Sequence, residues 1–159
     1  MESVYRDYLD DLDPRNAGVF PTLAESGHSG PDQLSRWFSD LSAIPLLILQ
    51  SSVPVGFAMV ARATARDVQE RAGHRIAEFF IARSHRRLGI GARAVELILD
   101  RFAGRWEITE YLRNPGAVTF WRRVVARYTG GRFEERVQDG EVRQSFASRP
   151  APRGFTATP

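Results

Sequence analysis

The sequence predicts a mixed α/β fold: a sheet with helices on both faces, in one domain. Three features point there. Strand-like runs alternate with helical periodicities through the middle of the chain, hairpin-like pairs of runs sit at both ends of that region, and a glycine-containing turn leads straight from a strand into a helix at Arg86–Gly91. A length of 159 residues suits a single buried core. The domain is expected over 1–146, with residues 147–159, rich in Pro, Ala and Thr, as a disordered tail.

Residues 2–13 are expected to be helical, with Val4, Tyr5, Leu9 and Leu12 as a partial apolar stripe. Residues 14–30, rich in Gly, Pro, Ser and Asn, predict a loop, and Pro31-Asp32 opens a second helix to about Leu41 with Leu34, Trp37 and Phe38 on one face. Ile44 to Gln50 is short and almost wholly apolar, which predicts a buried strand; Val53 to Arg62 follows a tight turn and completes a hairpin. After a polar stretch, Ala63 to Arg75, a third strand is expected over Ile76 to Arg83. The next helix carries Val95, Ile98, Leu99 and Phe102 on one face and stops at Gly104. Trp106 to Leu112 predicts another strand. Asn114 then caps a last helix with Pro115 in its first position; its apolar face is Ala117, Phe120, Trp121, Val124, Val125 and Tyr128, and Gly130-Gly131 ends it. Arg132–Val137 and Val142–Phe146 form a closing hairpin around Asp139-Gly140.

Composition removes several kinds of chemistry. With no cysteine there is no disulfide, thiolate metal site or cysteine nucleophile. There is no lysine either, so a Schiff base is excluded and all 22 basic residues are arginine, permanently charged and suited to forked contacts with phosphate. His28 and His74 are isolated in polar loops, and no metal is expected. A net charge of +3 without an aromatic-interleaved basic stretch or zinc-finger spacing gives no expectation of a nucleic-acid partner. No apolar run approaches the roughly 20 residues that span a bilayer, and the N-terminus lacks a signal-peptide pattern, so no membrane and a cytoplasmic location are expected.

The turn Arg86-Arg87-Leu88-Gly89-Ile90-Gly91 is the most informative segment. Two glycines at i and i+2 admit positive φ and close approach, so successive N–H groups can face one concavity. The helix that follows adds its free N–H groups and positive dipole end, and the arginines can close on phosphate oxygens. A tight turn with solvated arginines is the plainer alternative. The dinucleotide fingerprint is not met, because its third glycine is Ala94, and the Walker A pattern fails for want of a lysine.

Here the chain resembles the GNAT superfamily of acyl-CoA N-acetyltransferases. Arg86, Gly89 and Gly91 match its Q/R-x-x-G-x-G/A turn, and Asn114-Pro115-Gly116-Ala117-Val118-Thr119-Phe120-Trp121 resembles its N-x-x-A-x-x-F plus aromatic motif, in the expected order. The resemblance covers about Ile44 to Phe146 and is nearest a subgroup of small bacterial acetyltransferases. It implies a mostly antiparallel sheet whose fourth and fifth family strands splay apart to admit the pantetheine arm of acetyl-CoA, the expected co-substrate. The implied cofactor-binding positions are Phe80 and Ile81 on the splayed strand, Arg86, Arg87, Leu88, Gly89, Ile90, Gly91 and Ala92 at the phosphates, Asn114 near the pantetheine or acyl sulfur, and Phe120 and Trp121 along the arm.

Two departures from that pattern stand out. The family usually opens with a strand before its first helix, whereas a helix is expected first here; the sheet edge is then expected to be bare or otherwise covered, as by a partner, and a homodimer is expected. Trp121 stands where many members carry a tyrosine that protonates the departing thiolate; Tyr128, Tyr111 or water would substitute, or the acid is dispensable.

For direct transfer to an amine, Glu78 is the first candidate general base, with a pKa raised by Phe79 and Phe80; Glu107 and Glu110 are alternatives. His85 is expected to be solvated, and Arg122, Arg123 and Arg127 to form an outer helix face. Trp37 and Phe38 are either core or a wall of the acceptor pocket. The expected activity is acetyl transfer to a primary amine of a small molecule or peptide. The alternative is a non-catalytic or altered-chemistry module that binds acyl-CoA or an acyl-carrier thioester.

Overall fold

The computed structural model describes residues 4, 6–8, 43–62 and 73–149. The expected second helix with Trp37 and Phe38, the loop with His28, and residues 150–159 lie outside them. The described strands are β1 (Ala43–Gln50), β2 (Val53–Arg62), β3 (His74–Ile81), β4 (Arg105–Tyr111), β5 (Glu134–Gln138) and β6 (Glu141–Ala147); α1 (Ile90–Arg101) follows β3, and α2 (Pro115–Thr129) follows β4. They form one sheet in the order β1-β2-β3-β4-β6-β5. Every pairing is antiparallel except β3 with β4, which the α1 crossover makes parallel. The sheet is therefore mixed and mostly antiparallel, as expected.

Strand alternation sorts the core into two layers. Ala58 and Val60 of β2, Trp106 and Ile108 of β4 and Phe146 of β6 face Val95, Ile98 and Leu99 of α1 and Trp121, Val124, Val125 and Tyr128 of α2. Phe57 and Met59 face the other way, with Phe80 and Ala82, against Val4 and Tyr8. Val4 and residues 6–8 are helical, so Val4 and Tyr8 meet the sheet one turn apart. Of the expected stripe Val4 is buried, while Tyr5, Leu9 and Leu12 lie outside the described residues; Tyr8 is buried beside Val4. Helices thus cover both faces.

The ends of α2 follow its sequence: Asn114 Oδ1 accepts from the Ala117 N–H at 3.1 Å, Pro115 opens the helix, and Gly130 closes it at φ 62°. Asp139 (φ 52°) and Gly140 (φ 80°) make the tight β5–β6 turn.

Three local expectations change. Among the described residues β1 is an edge strand rather than a buried one: Ile44 and Leu46 face the core, but Leu47 and Leu49 are exposed. His74 lies in β3, stacked on Trp106 at 5.1 Å, not in a loop. Of the expected tail over 147–159, residues 147–149 are described: Ala147 ends β6, and residues 148 and 149 are hydrogen-bonded to the domain. Ser148 N–H donates to the Gly104 carbonyl (2.8 Å), and the Arg149 guanidinium donates to the Tyr128 carbonyl (2.7 Å).

The sheet has one bulge that matters for function. Glu78 lies opposite Met59 but Ile76 opposite Val60, which leaves Ala77 as an extra residue in β3. An unbroken strand would put Ile76 and Glu78 on one face. The bulge sends Ile76 to the α1–α2 layer and Glu78 to the opposite face with Phe80. Beside it, β2 and β3 approach closely at Gly56, where an added Cβ would stand 2.3 Å from the Phe80 carbonyl oxygen. Gly56→Ala is expected to cost about 1–3 kcal/mol, because backbone rather than a flexible side chain must yield; urea denaturation measures it.

Candidate functional site

Parallel strands joined through a helix normally pair along their length, yet β3 and β4 pair only at His74↔Trp106 and Arg75↔Glu107. Beyond Arg75 and Glu107 they no longer pair, which leaves a gap toward the carboxyl ends of both strands. α1 begins just past the end of β3, at the unpaired end of this gap.

The turn into α1 is built for an anion. Arg87 and Gly89 both have positive φ (62° and 81°), which curls the backbone in the manner of an N–H nest. Gly89 caps α1 with no side-chain hydrogen bond, and no acidic residue sits in the first turn. The Arg93 N–H closes onto the Gly89 carbonyl at 3.0 Å, so helix geometry leaves the Ile90, Gly91 and Ala92 N–H groups without an intrahelical acceptor. Arg87, Leu88 and Gly89 are exposed, and a Cβ at Gly89 would meet nothing within 4 Å. Arg86 turns back over β3: its Nε donates to the Ile81 carbonyl at 2.7 Å and its guanidinium lies over the Phe80 ring.

On β3 the backbone alternates. The Ala82 N–H donates to Val55 of β2, so the Phe80 main-chain groups also face β2, while those of Phe79 and Ile81 face the gap. Of the two positions expected to pair with an extended ligand, Ile81 has the right orientation and Phe80 does not. The Phe80 side chain instead packs on Tyr8 and Phe57. Ile81 and Phe120 converge under Gly91, where an added Cβ would come within 3.5 Å of both. Asn114 caps α2 at the far lip of the gap.

Glu78 stands on β3 beside the gap and accepts a hydrogen bond from the Tyr8 hydroxyl at 2.9 Å. Burial raises its pKa to about 7, the Tyr8 bond opposes the rise, and the charge of Glu110 adds to it. Glu110 lies across the gap on β4. Burial lifts its pKa to about 7 as well, against the hydrogen bond that its Oε1 accepts from Trp121 Nε1–H at 2.7 Å. Phe79, Phe120 and Trp121 form the aromatic cluster beneath it, with ring centroids 5.1–5.8 Å apart.

The sequence pointed to Glu78 and, as an alternative base, to Glu110, but not to Tyr8 or to the bond between Trp121 and Glu110. Tyr8 had one available signal, its i, i+4 spacing from Val4. Trp121 is 3% exposed and is the hydrogen-bond donor to Glu110. Tyr128 is not at the gap: its hydroxyl donates to Asp100 Oδ1 at 2.7 Å, and it sits about 21 Å along α2 from Asn114. Tyr111 is half-buried at the end of β4 beneath the Arg113 guanidinium. Glu107 faces Arg143 at 3.7 Å. Arg122 pairs with Glu135, Arg127 with Glu96, and Arg123 is exposed; these arginines lie on the outer side of α2 as expected. His85 bonds Ser84 at 2.9 Å.

The chain matches the family model described as Acetyltransferase (GNAT) family over residues 2–125. Its structure resembles yncA of Salmonella typhimurium, solved with its cofactor acetyl-CoA, at 11% identity over 97% of this chain and 92% of that one (TM-score 0.62). It also resembles the PaiA N-acetyltransferase of Thermoplasma acidophilum in complex with coenzyme A (11% identity, 92% and 91% covered, TM-score 0.59). A third likeness is to the ribosomal-protein-S18-alanine N-acetyltransferase of Escherichia coli (13% identity, 94% and 92% covered, TM-score 0.55). At these identities the likeness is one of fold. No curated protein matches the chain in sequence.

Proposed function

This chain belongs to the GNAT acetyltransferase family, and from that premise we propose that it transfers an acetyl group from acetyl-CoA directly to a primary amine of a small molecule or peptide. The observation that carries this reading is the gap: β3 and β4 cease to pair after two positions and open onto an uncapped helix N-terminus with no carboxylate in its first turn. Two structural neighbours were solved with acetyl-CoA or CoA.

The residues fit such a ligand. The N–H groups of Gly89, Ile90, Gly91 and Ala92 and the cation of Arg87 would hold its pyrophosphate. Arg86 is engaged with Ile81 and acts from the edge of β3. The gap-facing backbone of Ile81 would pair with the pantetheine arm, and Phe120 and Asn114 would line it. Acetyl-CoA supplies the activated acyl group; the protein must orient the acceptor and take its proton. Most primary amines are protonated at neutral pH. Glu78, with a pKa of about 7, is deprotonated in a useful fraction there and basic enough to accept a proton, directly or through water.

Calorimetric titration of acetyl-CoA into the wild type and into a Gly89→Trp, Gly91→Trp variant tests the reading. Binding in the micromolar range, weakened at least about tenfold (1.4 kcal/mol) in the variant, is the expected result. A folded wild type that does not bind acetyl-CoA would end it. Binding without transfer to any amine in an acceptor screen would favour the non-catalytic module, the reading that Trp121 in place of a tyrosine supports.

A further inference from the structure

The tyrosine that the family resemblance would supply as proton donor to the leaving thiolate is replaced by Trp121, whose indole N–H is far too weak an acid. The structure offers another group at the same place. Trp121 holds Glu110 Oε1 at 2.7 Å, and among the described residues Oε2 has no hydrogen-bond partner. Glu110 lies three residues past Glu107, and Glu78 three past Arg75, the last paired residues of the two parallel strands. The Ala77 bulge takes up one of the three on β3, so the two carboxyls stand about one residue, ~3 Å, apart in height along the gap. They are not on the same face. The Ala77 bulge turns Glu78 toward Tyr8, whereas Glu110 keeps the parity of Trp106 and Ile108 and faces α2. One carboxyl flanks the gap from each side of the sheet.

Resting on the acyltransferase reading above, we propose that Glu110 is the proton donor to the departing CoA sulfur, working opposite Glu78 as base. The N–C bond to the amine forms and the thioester C–S bond breaks, with its electron pair left on sulfur. The proton on Glu110 Oε2 goes to that sulfur. The ammonium loses two protons in all, each taken by Glu78 and passed to water. One proton returns from water to Glu110, so each turnover releases one proton.

The surroundings of Glu110 favour a protonated carboxyl. On β3 its titratable neighbour is Glu78, on the opposite face and coupled to it by charge. From α2 it meets the neutral Trp121 indole, while Arg122 is drawn away to Glu135. From β6 it lies opposite Val142; Gln144 beside it donates to Glu135, and Arg143 and Glu141 point to the other face. Burial keeps its proton on near neutral pH against the Trp121 hydrogen bond, and its pKa of about 7 suits a group that must be reprotonated every cycle.

The test pairs kinetics with a readout on the free protein. An acid must be protonated, so wild-type kcat should fall as pH rises through about 7. Glu110→Gln keeps the size and the acceptor for Trp121; it should lose this alkaline limb and about 10–100-fold in kcat, since CoA thiolate is a tolerable leaving group. Trp121→Phe removes a bond that favours the charged carboxylate, so the limb should move to higher pH. In the free protein the Trp121 indole N–H resonance, assigned by its absence in Trp121→Phe, should titrate near pH 7 in the wild type and stay flat in Glu110→Gln. A wild-type indole signal that is flat from pH 5 to 9, or an alkaline limb kept in Glu110→Gln, overturns the donor. A wild type that binds no acetyl-CoA or transfers to no amine overturns the acyltransferase reading, and the donor with it. Transfer by the wild type with the limb unchanged in Glu110→Gln overturns the donor alone.

Discussion

Glu78→Gln is expected to lower kcat by about 10²–10⁴-fold, the usual worth of a positioned base, while making the fold more stable above neutral pH. Glutamine has nearly the same shape, and its carbonyl oxygen can still accept the Tyr8 hydroxyl that Glu78 accepts at 2.9 Å. It cannot take a proton. Wild-type activity should therefore follow a bell with its maximum near pH 7: the acid limb, below about 7, is the ionisation of Glu78 and should be missing in the variant, while the alkaline limb belongs to Glu110. Stability moves the other way. The folded-state pKa, about 7, lies above the ordinary 4.5, so between these values the folded chain holds a proton that the unfolded chain has given up. The resulting stability is complete below about 4.5 and is lost as pH rises through about 7. Glutamine carries no such loss. Allowing for partial solvation of the carboxyl and its coupling to Glu110, the variant should gain about 1–3 kcal/mol at pH 8. Melting at pH 5 and pH 8 and steady-state kinetics over the same range measure both. If activity falls together with stability at pH 8, Glu78 is a structural group and the base lies elsewhere.

How far this site was legible in the sequence depends on the range of each interaction. The turn into α1, the Asn114–Pro115 cap and the Asp139-Gly140 hairpin are local devices. Their residue types are dictated by backbone angles and terminal N–H groups within a few positions, and the structure places each where the sequence indicated. Glu78 was legible as a carboxyl among aromatic residues. Its partner Tyr8 lies 70 residues away, and nothing local marks that bond. The pairing of Trp121 with Glu110 was hidden for a different reason. In the sequence Trp121 stands out as a departure from a tyrosine; only when α2 lies over β4 does it become the donor that holds a carboxylate. The Ala77 bulge was invisible as well. The run Arg75-Ile76-Ala77-Glu78-Phe79-Phe80 has no clean period of two, and one inserted residue decides which face Glu78 takes. The first strand went wrong through its composition. Ile44 to Leu49 is apolar enough for a central strand, but its place at the edge of the described sheet leaves Leu47 and Leu49 exposed.

The closed end of the gap carries the other large expectation: Trp106→Ala should cost about 3–5 kcal/mol. Trp106 is 1% exposed and belongs to one of the two pairs that join β3 to β4. It stacks on His74 at 5.1 Å across that junction, and its Nε1–H donates to the Phe102 carbonyl at 2.9 Å, where α1 ends. It also packs in the layer shared by both helices. Alanine would lose the apolar burial, leave a cavity and leave the Phe102 carbonyl with only the long 3.4 Å bond from the Ser148 hydroxyl. A domain of this size has about 5–15 kcal/mol of stability, so the variant should still fold in the cold but melt well below the wild type. Trp106→Phe keeps most of the ring packing and loses the hydrogen bond, and should fall between them. In urea the midpoint should drop with little change in slope, since the surface exposed on unfolding is nearly the same. Both carboxyls lie beyond this junction on strands that no longer pair, so their separation is set where Trp106 holds β3 and β4 together. The folded Ala variant should therefore bind acetyl-CoA more weakly than wild type at a temperature where both are fully folded. A loss of less than about 1 kcal/mol with unchanged affinity would mean that the helices, not the junction, fix the width of the gap.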